Sequence, residues 1–321
     1  MTETIAVIGA GMMGPGIAQV FAAHGHTVQI HSRTPEKLGG VKGRVQANLS
    51  RMADFELLNR DEIPTILDRI VLAPDLSEAC GGASFVIETI TEDMALKQDL
   101  FAQLDRLCPE ETVLCSNTSV MSITQIGARA RRRERILGTH FFQPPFLMPL
   151  VEVVRTEVTD PAHMDAVVDL LRDAGKIPVR VQKDVPGFIA NRMQHALWRE
   201  AFALVDEGVC DAETVDITVR HSFGLRLPVL GPITNADLVG LDLTLGIQRY
   251  MLPHLSASPS PSSTLRSRVD EGKLGFKTGS GFFDWTEESM NSVRDGLATY
   301  LLEILSRERK SRERPQSPLG K

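Results

Sequence analysis

The chain has 321 residues, of which 42% are hydrophobic and 24% charged, and a formal net charge of -6. That length suits two domains or one large one, and the acidic balance gives no electrostatic reason to expect nucleic acid. No apolar run approaches the roughly 20 residues that cross a membrane. The four cysteines, Cys80, Cys108, Cys115 and Cys210, form no Cys-x-x-Cys pair, so they read as isolated reduced thiols of a cytoplasmic protein.

The N-terminus runs straight into the apolar run 4–8, with no room for a secretory leader. That run reads as a strand buried in a parallel sheet. Residues 27–31 predict a second strand, and short apolar runs at 70–72, 85–87, 112–114, 136–137, 150–154 and 177–181 continue the series. Helical segments separate most of them, which argues for a doubly wound α/β sheet of Rossmann type. One helix announces its ends: Asp160 suits the N-cap, Pro161 the first turn and Gly175 the position just past the end.

The pattern changes at Asp184-Val-Pro-Gly187. Beyond it the chain reads as helical, from Phe188 to about Glu207, again after Asp211, and again from Ala236. The Ser/Pro-rich stretch 256–263 reads as a loop. The expectation is a dinucleotide-binding domain over 1–185, an all-helical substrate and dimerisation domain over 186–306, and a charged flexible tail over 307–321, where apolar periodicity is missing.

Gly9-Ala-Gly11-Met12-Met13-Gly14 is a G-x-G-x-x-G between a strand and a helix. The first glycine permits the tight turn, the second a close approach to a pyrophosphate, and the third close helix–strand packing. The helix start then offers free amides to phosphate. At the tip of the second strand, where an acid usually holds the ribose of NAD, the chain has Ser32 and Arg33. A guanidinium there suits a 2′-phosphate, so the cofactor is read as NAD or NADP, with NADP slightly favoured.

His140 and Glu152 flank a double proline and lead into the run 150–154. Oxidising an alcohol requires an acceptor for the hydroxyl proton that titrates near neutral pH, which suits imidazole. A carboxylate on the other ring nitrogen fixes the tautomer and stabilises the imidazolium.

The motifs Gly9 to Gly14, Glu88-Thr-Ile-Thr-Glu92 with Lys97, Ser116-Asn-Thr-Ser119, His140-Phe-Phe-Gln-Pro-Pro145, Leu150-Val-Glu-Val153 and Asp184-Val-Pro-Gly-Phe-Ile-Ala-Asn-Arg192 follow one another in order, as do Gly231-Pro232, 237–242 and 275–281. Over about residues 4–285 the chain resembles the L-3-hydroxyacyl-CoA dehydrogenases and their relatives. The resemblance implies that His140 is the general base and Glu152 the carboxylate that orients it. It implies that Ser119 bonds the reacting oxygen and that Asn191 is brought in from the helical domain. It places Glu92, Lys97 and Asn117 at the cofactor, and it implies a homodimer working on a small-molecule substrate in fatty acid metabolism.

Three departures bear on the substrate. Gln143 stands where the family usually has Asn, and it could reshape the pocket. The stretch 48–56, where the family's CoA enzymes carry lysines, has only Arg51 beside Asp54 and Glu56. The segments 193–201 and 224–226 look more like relatives acting on free hydroxy acids, with Arg226 a candidate partner for a carboxylate. The expected activity is hydride transfer between NAD(P) and an L-3-hydroxyacyl-CoA of the 3-hydroxybutyryl type. The alternative is a small free acid, of gulonate, carnitine or pyridine-carboxylate type. A catalytically silent, crystallin-like protein is the third reading.

Overall fold

Continuous apolar runs without polar alternation are what a parallel sheet covered on both faces demands. In the computed structural model, which describes residues 2–313, these runs become β1 (Thr4–Ile8), β2 (Thr27–His31), β3 (Ile70–Ala73), β4 (Phe85–Glu88), β5 (Val113–Ser116), β6 (Ile136–Phe141), β7 (Leu150–Val154) and β8 (Ile177–Val181). They form one sheet in the order β3-β2-β1-β4-β5-β6-β7-β8. Every neighbouring pair is parallel except β6 and β7, which run antiparallel. The order reverses between β1 and β4, and the crevice at the carboxyl ends of the strands there is where such a sheet receives its ligand.

Two apolar clusters fill the space between the sheet and its helices. One joins Ile17, Phe21, Val45, Leu49, Val168 and Leu171 to the strands, and the other Phe101, Leu104, Ile126 and Phe188. The helix Pro161–Asp173 begins with Asp160 Oδ1 accepting from the amide of Ala162 (2.8 Å) and is followed by Gly175 at φ +71.

The chain divides into two units, one made of residues 2–191 with 295–313, the other of Arg192–Arg294. The second unit carries the helices Ala212–His221, Phe223–Arg226, Pro232–Val239, Leu241–Met251 and Ser263–Asp270, and none of its residues is buried.

Hydrogen bonds to Glu152 and Ser119 hold residues 189–191, at the entry to the expected helical domain, against the sheet, so by contacts the two units divide after Asn191. One expectation changes here. Residues 307–313, expected as part of a flexible tail, continue the helix Glu287–Glu313. Arg309 donates to the carbonyl of Glu56 (3.0 Å) and Lys310 pairs with its carboxylate (2.6 Å). Arg51 binds Asp295 (3.1 Å) and Thr299 (3.3 Å) of the same helix. Residues 314–321 lie outside the described residues. No helix among the described residues is long and apolar enough to cross a membrane.

Candidate active site

The glycine loop is shaped by contacts that leave no room for side chains at Gly9 and Gly14. Gly9 lies at φ +124, and a Cβ on Gly14 would stand 1.9 Å from the carbonyl oxygen of Gly9. A Cβ on Gly11 would meet nothing within 4 Å, so the loop is open on the side from which a phosphate would approach. The helix Gly14–Ala23 starts at this point, and its first amides make the positive end of a helix dipole. The loop therefore fits a pyrophosphate.

Arg44 braces the loop. Its guanidinium donates to the carbonyls of Gly11 (3.0 Å), Ala10 (2.9 Å) and Lys37 (3.0 Å). A cavity of about 410 Å³ beside it is lined by Ala10, Gly11, Met12, Glu36, Lys37, Gly40 and Arg44. No motif in the sequence points to Arg44, because its role exists only once residues 34 positions apart meet. Met12 is exposed and Met13 packs against the core. Beyond β2, Ser32 accepts a hydrogen bond from the amide of Thr34 (3.2 Å), and Arg33 is exposed.

His140 and Glu152 are directly opposite each other in the antiparallel β6–β7 pair. Directly opposed residues share one face of a sheet with their Cβ atoms close together, so the twelve-residue spacing becomes a contact. Nδ1 of His140 lies 2.7 Å from Oε2 of Glu152, and both side chains are buried. Phe142 and Phe188 flank the imidazole, with ring centroids at 4.3 and 6.0 Å. The other carboxylate oxygen, Oε1, accepts from the amides of Ile189 and Ala190, both at 2.9 Å. These amides open the helix Ala190–Asp206, a favourable seat for an anion. Burial alone would raise the Glu152 carboxyl, but His140 and the two amides hold it below the ordinary carboxylate range.

From that helix start the bonding continues. Asn191 Nδ2 donates to the carbonyl of Ser119 (2.8 Å). The amide of Ser119 (2.9 Å) and its Oγ (3.3 Å) donate to Glu92. Glu92 lies 3.3 Å from Lys97 Nζ, which is itself 2.7 Å from Glu88. One chain of contacts thus links Glu152, Asn191, Ser119, Glu92 and Lys97, all within the first unit. Asn191 stands in the first turn of the helix Ala190–Asp206, which leads from the first unit into the second. Asn117, expected at the cofactor, ties the strand ends together: its Oδ1 accepts from the amide of Phe141 (2.8 Å) and its own amide donates to the carbonyl of Glu88 (2.8 Å).

Two candidates make none of these contacts. Gln143 is exposed and precedes Pro144 through a cis peptide bond. Arg226 ends a short helix of the second unit and is exposed. Glu88, singled out in the sequence only as part of a motif, is the buried end of the contact chain. Its signal was legible: an acid closing an apolar strand, nine residues before a lysine.

Comparison with known proteins bears on this geometry. The family model described as 3-hydroxyacyl-CoA dehydrogenase, NAD binding domain, matches residues 4–185, and the one described as 3-hydroxyacyl-CoA dehydrogenase, C-terminal domain, matches residues 187–285. Among relatives, the 5-formyl-3-hydroxy-2-methylpyridine 4-carboxylate 5-dehydrogenase of Mesorhizobium japonicum is 32% identical over 305 residues, covering 95% of this chain and 97% of its own. The probable 3-hydroxybutyryl-CoA dehydrogenase of Bacillus subtilis is 38% identical over 288 residues, covering 89% and 99%. The crystal structure of a 5-formyl-3-hydroxy-2-methylpyridine 4-carboxylic acid 5-dehydrogenase, described as an NAD+ dependent dismutase, superposes with a TM-score of 0.89 at 30% identity, over 98% of this chain and 100% of the other. That of (S)-3-hydroxybutyryl-CoA dehydrogenase from Ralstonia eutropha gives 0.75 at 33%, over 89% and 100%.

Proposed function

The chain belongs to the 3-hydroxyacyl-CoA dehydrogenase family, and we propose that it oxidises, or in reverse forms, a secondary alcohol with His140 as the base. The observation that carries this reading is the 2.7 Å contact of His140 Nδ1 with Glu152 in the unit that holds the glycine loop. With Nδ1–H donated to Glu152, Nε2 is the basic nitrogen and takes the hydroxyl proton. NAD, when bound, accepts the hydride from the alcohol carbon. As the oxygen changes charge, Ser119 and Asn191 supply hydrogen bonds to it. Glu152 holds the ring in one tautomer and stabilises the imidazolium, while its amide partners keep its own charge in place. In the reverse direction His140 returns the proton. Positioned proton transfer is worth about 10²–10⁴-fold.

On substrate, family membership supports a 3-hydroxyacyl-CoA of the 3-hydroxybutyryl type. A specific observation favours a second reading, a small free carboxylic acid of the pyridine-carboxylate kind. The similarity to the pyridine-carboxylate dehydrogenase covers 98% of the chain in structure, whereas that to the 3-hydroxybutyryl-CoA dehydrogenase covers 89%. In addition, Arg51 is engaged by Asp295 and Thr299 of the terminal helix. NAD is the family's cofactor. We extend the reading to NADP on the strength of Ser32 and the exposed Arg33. The second unit, with apolar side chains exposed throughout, supports a homodimer.

The test is turnover of 3-hydroxybutyryl-CoA, small free 3-hydroxy acids and formylpyridine carboxylates, followed by NAD(P)H absorbance with each cofactor. His140→Gln is expected to lower kcat at least about 10²-fold while cofactor binding survives. A variant that keeps more than half of the wild-type kcat refutes the base assignment.

A further inference from the structure

Glu88 closes β4, next to the boundary with β1 where the strand order reverses. Its side chain is fully buried, and Oε1 accepts from Lys97 Nζ (2.7 Å) and the amide of Ile90 (2.6 Å), Oε2 from Ser116 Oγ (2.6 Å). Burial pushes the Glu88 carboxyl up. Every group that faces it is nonetheless a donor, so the arrangement is built for the ionised form. Lys97 is as deeply buried, and it lies closer to Glu88 than to Glu92, 2.7 against 3.3 Å. Two carboxylates therefore share one ammonium, and the uncompensated charge is left on Glu92. That carboxylate is 39% exposed and holds the amide and hydroxyl of Ser119.

A dinucleotide laid across the switch point puts one half over β1–β2–β3 and the other over β4–β5. The glycine loop and β2 would take the adenosine half, so the ends of β4 and β5, where Glu88 and Ser116 stand, would face the nicotinamide half. The oxidised nicotinamide ring carries a positive charge that the reduced ring lacks. Resting on the dehydrogenase reading above, we propose that Glu88 is a positioning residue: by drawing Lys97 to itself it leaves the negative charge of Glu92 uncompensated, which favours the oxidised over the reduced cofactor, and through Glu92 it positions Ser119 for the substrate oxygen.

The experiment is titration of the full-length protein with NAD+ and with NADH, by calorimetry or ligand fluorescence, for the wild type, Glu88→Gln, Glu88→Asp, Glu92→Gln and the Glu88→Gln/Glu92→Gln double variant. The net charge of the three groups runs from -1 through 0 in each Gln single variant to +1 in the double one. The ratio Kd(NAD+)/Kd(NADH) is expected to rise by about tenfold at each charge step, from the size of partly buried charge interactions, while Glu88→Asp stays within about twofold of wild type. A merely structural role would weaken both cofactors together and leave the ratio flat across the series, and that result overturns the proposal. Should Glu88→Gln fail to fold, a flat ratio in Glu92→Gln overturns it equally. A wild-type protein that binds neither cofactor would instead refute the dehydrogenase reading.

Discussion

Glu152 makes three hydrogen bonds, one to an imidazole and two to backbone amides, so its two oxygens cannot be exchanged for an amide without cost. In Glu152→Gln, the remaining carbonyl oxygen satisfies the Ile189 and Ala190 amides, and the new NH₂ faces Nδ1 of His140. That nitrogen must then accept, which moves the ring proton to Nε2 and removes the base. The expected result is a loss in kcat of about 10⁴-fold, as when a triad carboxylate is replaced by its amide, with the melting temperature little changed. A kcat within tenfold of wild type refutes the tautomer argument. At this scale the sequence was partly legible. His140, Glu152, Ser119 and Asn191 were named from motifs, whereas Arg44 was not, since the carbonyls of Ala10 and Gly11 that it braces are distant in the chain.

The β6–β7 pair is the element that turns sequence spacing into chemistry. Its connecting turn, 142–149, is pinned from two sides. Gly16 of the glycine-loop helix has no side chain, and a Cβ there would come within 2.6 Å of Pro145, so the glycine-loop helix and the hairpin that carries His140 touch. Lys176 Nζ donates to the carbonyls of Pro145 (2.6 Å) and Met148 (3.0 Å). Burial lowers its pKa from 10.5 to about 8. The folded chain therefore holds this proton less tightly than the unfolded one. Between pH 8 and 10.5 the unfolded state carries more protons, and stability rises with pH through that window. Urea midpoints measured across it are expected to climb in the wild type and to climb less in Lys176→Met; equal slopes would refute the assignment. All eight strands were legible as apolar runs, because a strand buried on both faces needs no partner to declare itself. The pairing direction of β6 and β7 was not, since either orientation buries the same residues.

Among residues 192–294 there is no buried side chain, yet Leu225, Val229, Ile233, Leu238, Leu241 and Tyr250 are all more than 60% exposed. Apolar surface on that scale marks an interaction face, and a second copy is the occupant in the function proposed above. Light scattering after size exclusion is expected to give twice the 35.3 kDa chain mass, and Leu225→Glu/Ile233→Glu to shift it toward monomer. A wild type that is monomeric at tens of micromolar refutes the dimer. From Asp295 onward the terminal helix Glu287–Glu313 belongs to the first unit, against the expectation of a charged tail from 307. Its apolar periodicity is weak, and it is held by the buried Leu302 together with exposed pairings to Arg51 and Glu56, residues some 250 positions earlier. By itself the amino-acid sequence determined the strands and the glycine loop and singled out the histidine proposed as the base, because each is a local pattern of burial, turn geometry or side-chain chemistry. Only the tertiary structure decided which groups share a proton or a charge, namely Glu152 between His140 and a helix start, Lys97 between two carboxylates, and Asn191 beside Ser119. Such pairings depend on distances between residues that the chain order leaves free.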